Sequence, residues 1–103
     1  MIGPTTRLRL ARKARLRIDP MSGRSVLLYP ERGLELSDSA ARIAALCAEE
    51  RTVAAIVDEL ATVHTGEPRD RIQADVLAFL SALEERGLLA VASEGEPAGA
   101  GGP

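Results

Sequence analysis

The alternation of apolar and polar positions changes period about a third of the way along the chain, and that change divides it into two kinds of element. Arg15-Leu16-Arg17-Ile18 alternates charged and apolar residues, the two-residue period of a half-buried strand, with Leu16 and Ile18 expected to point inward. Asp19-Pro20-Met21-Ser22-Gly23 has the composition of a turn. Arg24–Tyr29 reads as a second, more apolar strand, and Pro30-Glu31-Arg32-Gly33 breaks it. Leu34-Glu35-Leu36 reads as a short third strand with both leucines on one face. Strands joined by tight turns in this way predict an antiparallel meander.

From Ser37 the apolar spacing becomes helical. Ser37, or Asp38 one step later, is a good N-cap for a helix whose stripe is Ala40, Ile43, Ala44, Leu46 and Cys47. Thr52 caps a second helix with the stripe Val53, Ile56, Val57, Leu60 and Ala61. A third helix is expected to start near Pro68, with Pro68 in its first turn and the stripe Ile72, Val76, Phe79, Leu80 and Leu83. Gly87 supplies a left-handed C-cap, and Leu88-Leu89 folds apolar surface back. Ahead of the strands, Thr5 or Thr6 is placed to cap a short helix over Arg7–Ala14 with Leu8 and Ala11 on one side. The expected organisation is an N-terminal arm (1–14), a folded domain (15–91) and a Gly/Ala/Pro tail (92–103). The fold class is α+β: a three-stranded antiparallel β-meander followed by three helices, a winged-helix-like order.

Composition narrows the function. The chain has 103 residues, 46% hydrophobic and 27% charged, which suits a single globular domain. One Tyr, one Phe and no Trp leave too few rings for a base-stacking nucleic-acid platform. The lone Cys47 closes no internal disulfide, and with the lone His64 it makes no zinc site. No signal peptide or membrane-spanning run is present, which points to a cytoplasmic setting. The net charge of −2 hides an asymmetry. Residues 1–32 carry eight basic and two acidic side chains, and residues 33–103 carry five and thirteen. Such a split either steers partners or neutralises itself when the halves pack.

Catalytic constellations are missing. Cys47 lies on a buried helix stripe, where a cysteine acts as a small core residue, and His64 is expected on the surface near a helix end. Asp58-Glu59 and Glu84-Glu85 belong to helix exteriors, and no phosphate-cradling glycine motif occurs. The third helix carries three arginines against four acids, which is wrong for a recognition helix facing phosphates. A regulatory or nucleic-acid-binding winged helix is therefore the alternative reading, and a binding module the main one. The short strand around Leu34–Ser37 is a candidate edge for strand addition; from spacing alone, an edge merely short enough to be harmless is an equal reading.

Longer stretches carry a family resemblance. Leu16-Arg17-Ile18-Asp19-Pro20 with Gly23-Arg24, Val26-Leu27-Leu28-Tyr29-Pro30-Glu31-Arg32 and Leu36-Ser37-Asp38-Ser39-Ala40-Ala41 resemble the PqqD family of pyrroloquinoline quinone (PQQ) biosynthesis. So do Glu50-Arg51-Thr52-Val53 with Ile56-Val57, and Asp75-Val76-Leu77 through Arg86-Gly87-Leu88-Leu89. The resemblance spans roughly residues 7–90. Ser37 stands where an Asn is expected in the family, and serine caps as well.

The resemblance implies a non-catalytic, cofactor-free and metal-free peptide chaperone. It would bind the ribosomal precursor peptide PqqA and present it to PqqE, a radical S-adenosylmethionine enzyme that cross-links a Glu and a Tyr of the peptide. It also implies a RiPP recognition element (RiPP: ribosomally synthesised, post-translationally modified peptide). In that class the peptide adds as a strand beside the third helix. Carried onto this chain, the peptide-binding strand is Gly33, Leu34, Glu35, Leu36 and Ser37, and the helical wall is Arg71, Asp75, Ala78, Phe79 and Ala82. Phe79 has core packing as its competing role. The basic stretch Arg7–Arg17 is a candidate face for the acidic precursor or the enzyme. A monomer, or a homodimer exchanging strands about Pro30–Gly33 or the N-terminal arm, is compatible with this pattern. No nucleic acid or membrane partner is expected.

Overall fold

A computed structural model describes residues 2–30 and 32–93. Its elements, in order, are β1 (Arg7–Leu10), β2 (Arg15–Ile18), β3 (Ser25–Tyr29), β4 (Arg32–Leu36), α1 (Asp38–Leu46), β5 (Arg51–Thr52), α2 (Val53–Val63), α3 (Arg69–Glu85) and β6 (Leu89–Ser93). The strands form two antiparallel three-stranded sheets. One is the expected meander, in the order β2-β3-β4. The other, β5-β1-β6, joins the N-terminal strand to segments from the middle and the far end of the chain.

The second sheet corrects the expected helix over Arg7–Ala14. Arg7-Leu8-Arg9-Leu10 alternates with the same period as β2, and its burial alternates with it: both leucines are buried and both arginines exposed. Thr6 caps no helix. It is fully buried, its hydroxyl accepts from Gly3 N–H at 2.8 Å, and its carbonyl accepts from Val53 N–H at 3.1 Å. Ala14 is buried too, so the residues expected as a separate arm are part of the domain core. At the other end β6 runs to Ser93, past the expected boundary at 91. Most of the expected tail, residues 94–103, lies outside the described residues.

The helices follow their caps and stripes. Ser37 Oγ accepts from Ala40 N–H at 3.1 Å and starts α1; Thr52 Oγ1 accepts from Ala55 N–H at 3.1 Å and starts α2. Past the end of α1, Arg51 Nε donates to the Leu46 carbonyl at 2.7 Å, which satisfies an acceptor the helix leaves over. Pro68 stands at the N-cap of α3, one position before the expected first turn. At the far end of α3, Gly87 adopts φ +74°. Its N–H donates to the Glu84 carbonyl and that of Leu88 to the Leu83 carbonyl, both at 2.9 Å, a Schellman closure. The accompanying apolar contact is Leu83 with Leu88, both fully buried. The motif reverses the chain directly into β6.

The core is continuous. Leu8 of β1, Leu27 of β3, Ile43 and Ala44 of α1, four residues of α2 and four of α3 share one buried cluster. The three helical stripes hold, with Phe79 partly buried at the margin of the cluster. One inward expectation fails. Ile18 has the parity of Leu16 but is 69% exposed, because an open hollow separates its end of β2 from α1.

Candidate functional site

The expected peptide strand is β4. It pairs only with β3, in the register Ser25–Leu36, Leu27–Leu34 and Tyr29–Arg32, so among the described residues its other edge is open. Which backbone groups face that edge follows from the turn before β3. Asp19 N–H donates to the Arg24 carbonyl at 2.8 Å, so Asp19–Arg24 is a hydrogen-bonded pair. Antiparallel pairs alternate, so Val26 and Leu28 bond to β2, and Ser25, Leu27 and Tyr29 bond to β4. In β4, Arg32, Leu34 and Leu36 therefore use their backbone inward, and Gly33 and Glu35 direct N–H and C=O outward. The side chains follow the same alternation. Leu36 is buried and Leu34 half-buried against the core, whereas Gly33 and Glu35 are exposed.

Two contacts shape this edge. A Cβ at Gly33 would lie 3.2 Å from both Leu28 Cδ2 and Val26 Cγ1, so the glycine lets two β3 side chains close against the strand. Glu35 meets Arg24 at 3.6 Å, an exposed pair worth at most about 1 kcal/mol. Ser37, the last expected strand residue, leaves the sheet to cap α1.

On α3, Arg71, Asp75, Ala78 and Ala82 are exposed and Phe79 is half-buried. Asp75 lines a cleft of about 170 Å³ with Ser39 and Ile43 of α1, Leu60, His64, Glu67 and Ile72. The cleft lies between α1, α2 and α3, and no described residue of β4 lines it, so of the expected helical wall and strand it holds Asp75 alone. His64, expected on the surface, is half-buried in its wall as the C-cap of α2. Neither Ser39 nor His64 was expected beside Asp75, because each comes to the cleft from a different element.

The basic stretch divides. Arg7 pairs with Glu50 at 3.3 Å on the second sheet. Arg15 and Arg17 lie on β2, which is separated from β4 by β3, about 10 Å away across the sheet. They do not flank the β4 edge. Cys47 is fully buried, and burial pushes its thiol up to about 12, with the Arg51 guanidinium acting weakly the other way. Such a thiol is neutral and shielded. Among the described residues no cluster of His, Cys, Asp and Glu is arranged to hold a metal, and no helix is long and apolar enough to cross a membrane.

A meander with an open outer strand, followed by three helices, is the architecture of a RiPP recognition element. The chain superposes on the solution structure of the PqqD truncation of Methylobacterium extorquens PqqCD, described as a functional, stand-alone element of that class. The TM-score is 0.75 at 31% identity, covering 87% of this chain and 95% of the other.

Within that class the chain belongs to the PqqD family: the family model for coenzyme PQQ synthesis protein D matches residues 24–89. A PqqA binding protein of Rhodopseudomonas palustris (strain BisB5) is 42% identical over 96 residues, 93% of each chain. The bifunctional coenzyme PQQ synthesis protein C/D of Methylorubrum extorquens is 36% identical over 81 residues, 79% of this chain and 22% of that longer protein. The family is thus one of coenzyme PQQ synthesis, and peptide binding is what the names of these relatives describe.

Proposed function

We propose that the chain binds the precursor peptide PqqA by adding it as a strand to β4 and presents it to the radical enzyme PqqE, performing no chemistry itself. The observation that carries this reading is the open edge at Gly33 and Glu35, in a chain 42% identical to a PqqA binding protein. Backbone groups at an open edge offer hydrogen bonds independent of the guest's side chains, which suits an unstructured peptide that must later be released. Side-chain selection comes from α3. Arg71 and Asp75 present opposite charges one turn apart, and Ala78 and Ala82 leave space for guest side chains. Phe79 supports that wall from the core side.

The test is titration of labelled chain with the cognate precursor, followed by amide NMR. Strand addition predicts the largest shifts at Gly33 and Glu35 and along Arg71–Ala82. Shifts spread evenly, or confined to α1, would overturn it. Presentation is tested separately: cross-linking of the peptide by the enzyme should fall when β4 carries Glu35→Pro.

A further inference from the structure

We infer that the opposite edge of the meander, β2, is a second strand-docking groove that takes an extended acidic segment of a partner protein. Three observations support it, and none depends on the precursor-peptide reading.

The first is an open edge. Arg15 and Arg17 bond to β3, so Leu16 and Ile18 direct their backbone groups away from the sheet. The Leu16 carbonyl is held at 3.0 Å by the guanidinium of Arg17, a contact available only because no strand occupies it.

The second is shape. A groove of about 790 Å³ lies between β2 and α1, floored by Leu16 and walled by Ala41 and Ala45. A second hollow of about 520 Å³ continues it toward β1 and shares Leu16 and Ala45 with it. The apolar surface at its open end is conspicuous for so small a domain. Ile18, which lines the groove at that end, is 69% exposed.

The third is charge. Arg17 and Arg42 line the first hollow, Arg9, Arg12 and Arg15 the second; among the described residues Asp38 is the only acid lining either. Among the described residues Arg12, Arg15, Arg17 and Arg42 have no carboxylate partner. A guest strand alternating apolar and acidic residues meets the apolar floor and the guanidinium groups together. A second copy of this chain is a poor guest, because antiparallel pairing of β2 with itself sets arginines against arginines.

The experiment uses the labelled full chain and a short blocked peptide alternating glutamate and valine, with glutamine and lysine versions as controls. The glutamate peptide should shift the amides of Leu16, Ile18, Ala41 and Ala45 and leave Gly33 and Glu35 unmoved. Its affinity should fall with added salt and by about tenfold in the Arg17→Gln/Arg42→Gln double variant. Leu16→Pro, which removes an outward N–H, should weaken binding while the β2–β3 amides keep their native shifts. Equal binding of the glutamine peptide would overturn the inference. So would shifts confined to β4, shifts of the same amides on concentrating the chain alone, or tighter occupancy by a short DNA duplex. The cognate precursor, titrated into the same sample, reports on β4 independently, so either edge can fail without the other.

Discussion

The two sheets are built from similar short strands and serve different ends. The β5-β1-β6 sheet draws together residues from positions 7, 51 and 89 and buries Leu8 completely. Its central strand is flanked on both sides, and its burial ties Arg7–Leu10 to Leu89–Ser93. The β2-β3-β4 meander is made by two local hairpins, leaves Ile18 and Leu28 in solvent and, among the described residues, has two open edges. Distant pairing with full burial makes a clamp; local pairing with exposed edges makes a surface. A small domain can separate stability from recognition in this way, since the open strands need not carry the core.

The largest expected effect tests that division directly. Leu8→Ala should destabilise the domain by about 2–5 kcal/mol, and Ile18→Ala by less than about 0.5 kcal/mol, in denaturant titration. Equal losses would mean that both sheets bear the core alike.

Next comes the edge itself. Glu35→Pro removes an N–H that faces outward, so it should weaken precursor binding at least tenfold (about 1.4 kcal/mol) by calorimetry, with little loss of helical signal. Leu36→Pro is the instructive contrast. Its N–H belongs to the β3 ladder, so this variant should unfold the sheet and cannot probe the outer edge.

Gly87→Ala should cost about 1 kcal/mol in thermal unfolding, because alanine at φ +74° is strained and the Schellman closure feeds β6 of the clamp. A different effect concerns alkaline pH. The Cys47 thiol is raised from 9.0 to about 12 in the folded chain, so the folded state favours the protonated form. That contribution is complete below pH 9.0 and is lost as pH rises from 9.0 toward about 12, as the unfolded thiol ionises first. Cys47→Ala should flatten this part of the stability profile. Smallest of all, Arg69→Gln should change stability by under about 1 kcal/mol: its 2.7 Å pair with Asp58 is mostly in solvent.

Much of the fold was legible because it is local. Ser37, Thr52 and Gly87 announce helix boundaries through their own side chain or backbone freedom, and the stripes of α1 to α3 follow from period alone. β1 was misread although Arg7-Leu8-Arg9-Leu10 alternates as plainly as β2, because its partners lie more than forty residues away. A strand that pairs only with distant segments has no turn beside it to declare its register. The fate of Ile18 was hidden for a similar reason: alternation states which face a side chain takes, and only the packing of the opposing helix states whether that face is covered. Of the candidate site, the strand was visible and the cleft was not, since Ser39, His64 and Asp75 meet across three elements.

What the amino-acid order determined unaided was the period of each segment, the places where helices begin and end, and the residues that pack inward along each helix, all of which depend on neighbours within a few positions. Which strands stand at the sheet edges, which backbone groups face out of β2 and β4, and how the basic segment splits between two sheets were decided only in three dimensions. Edges are defined by the partner a strand lacks, and that is a property of the assembled sheet.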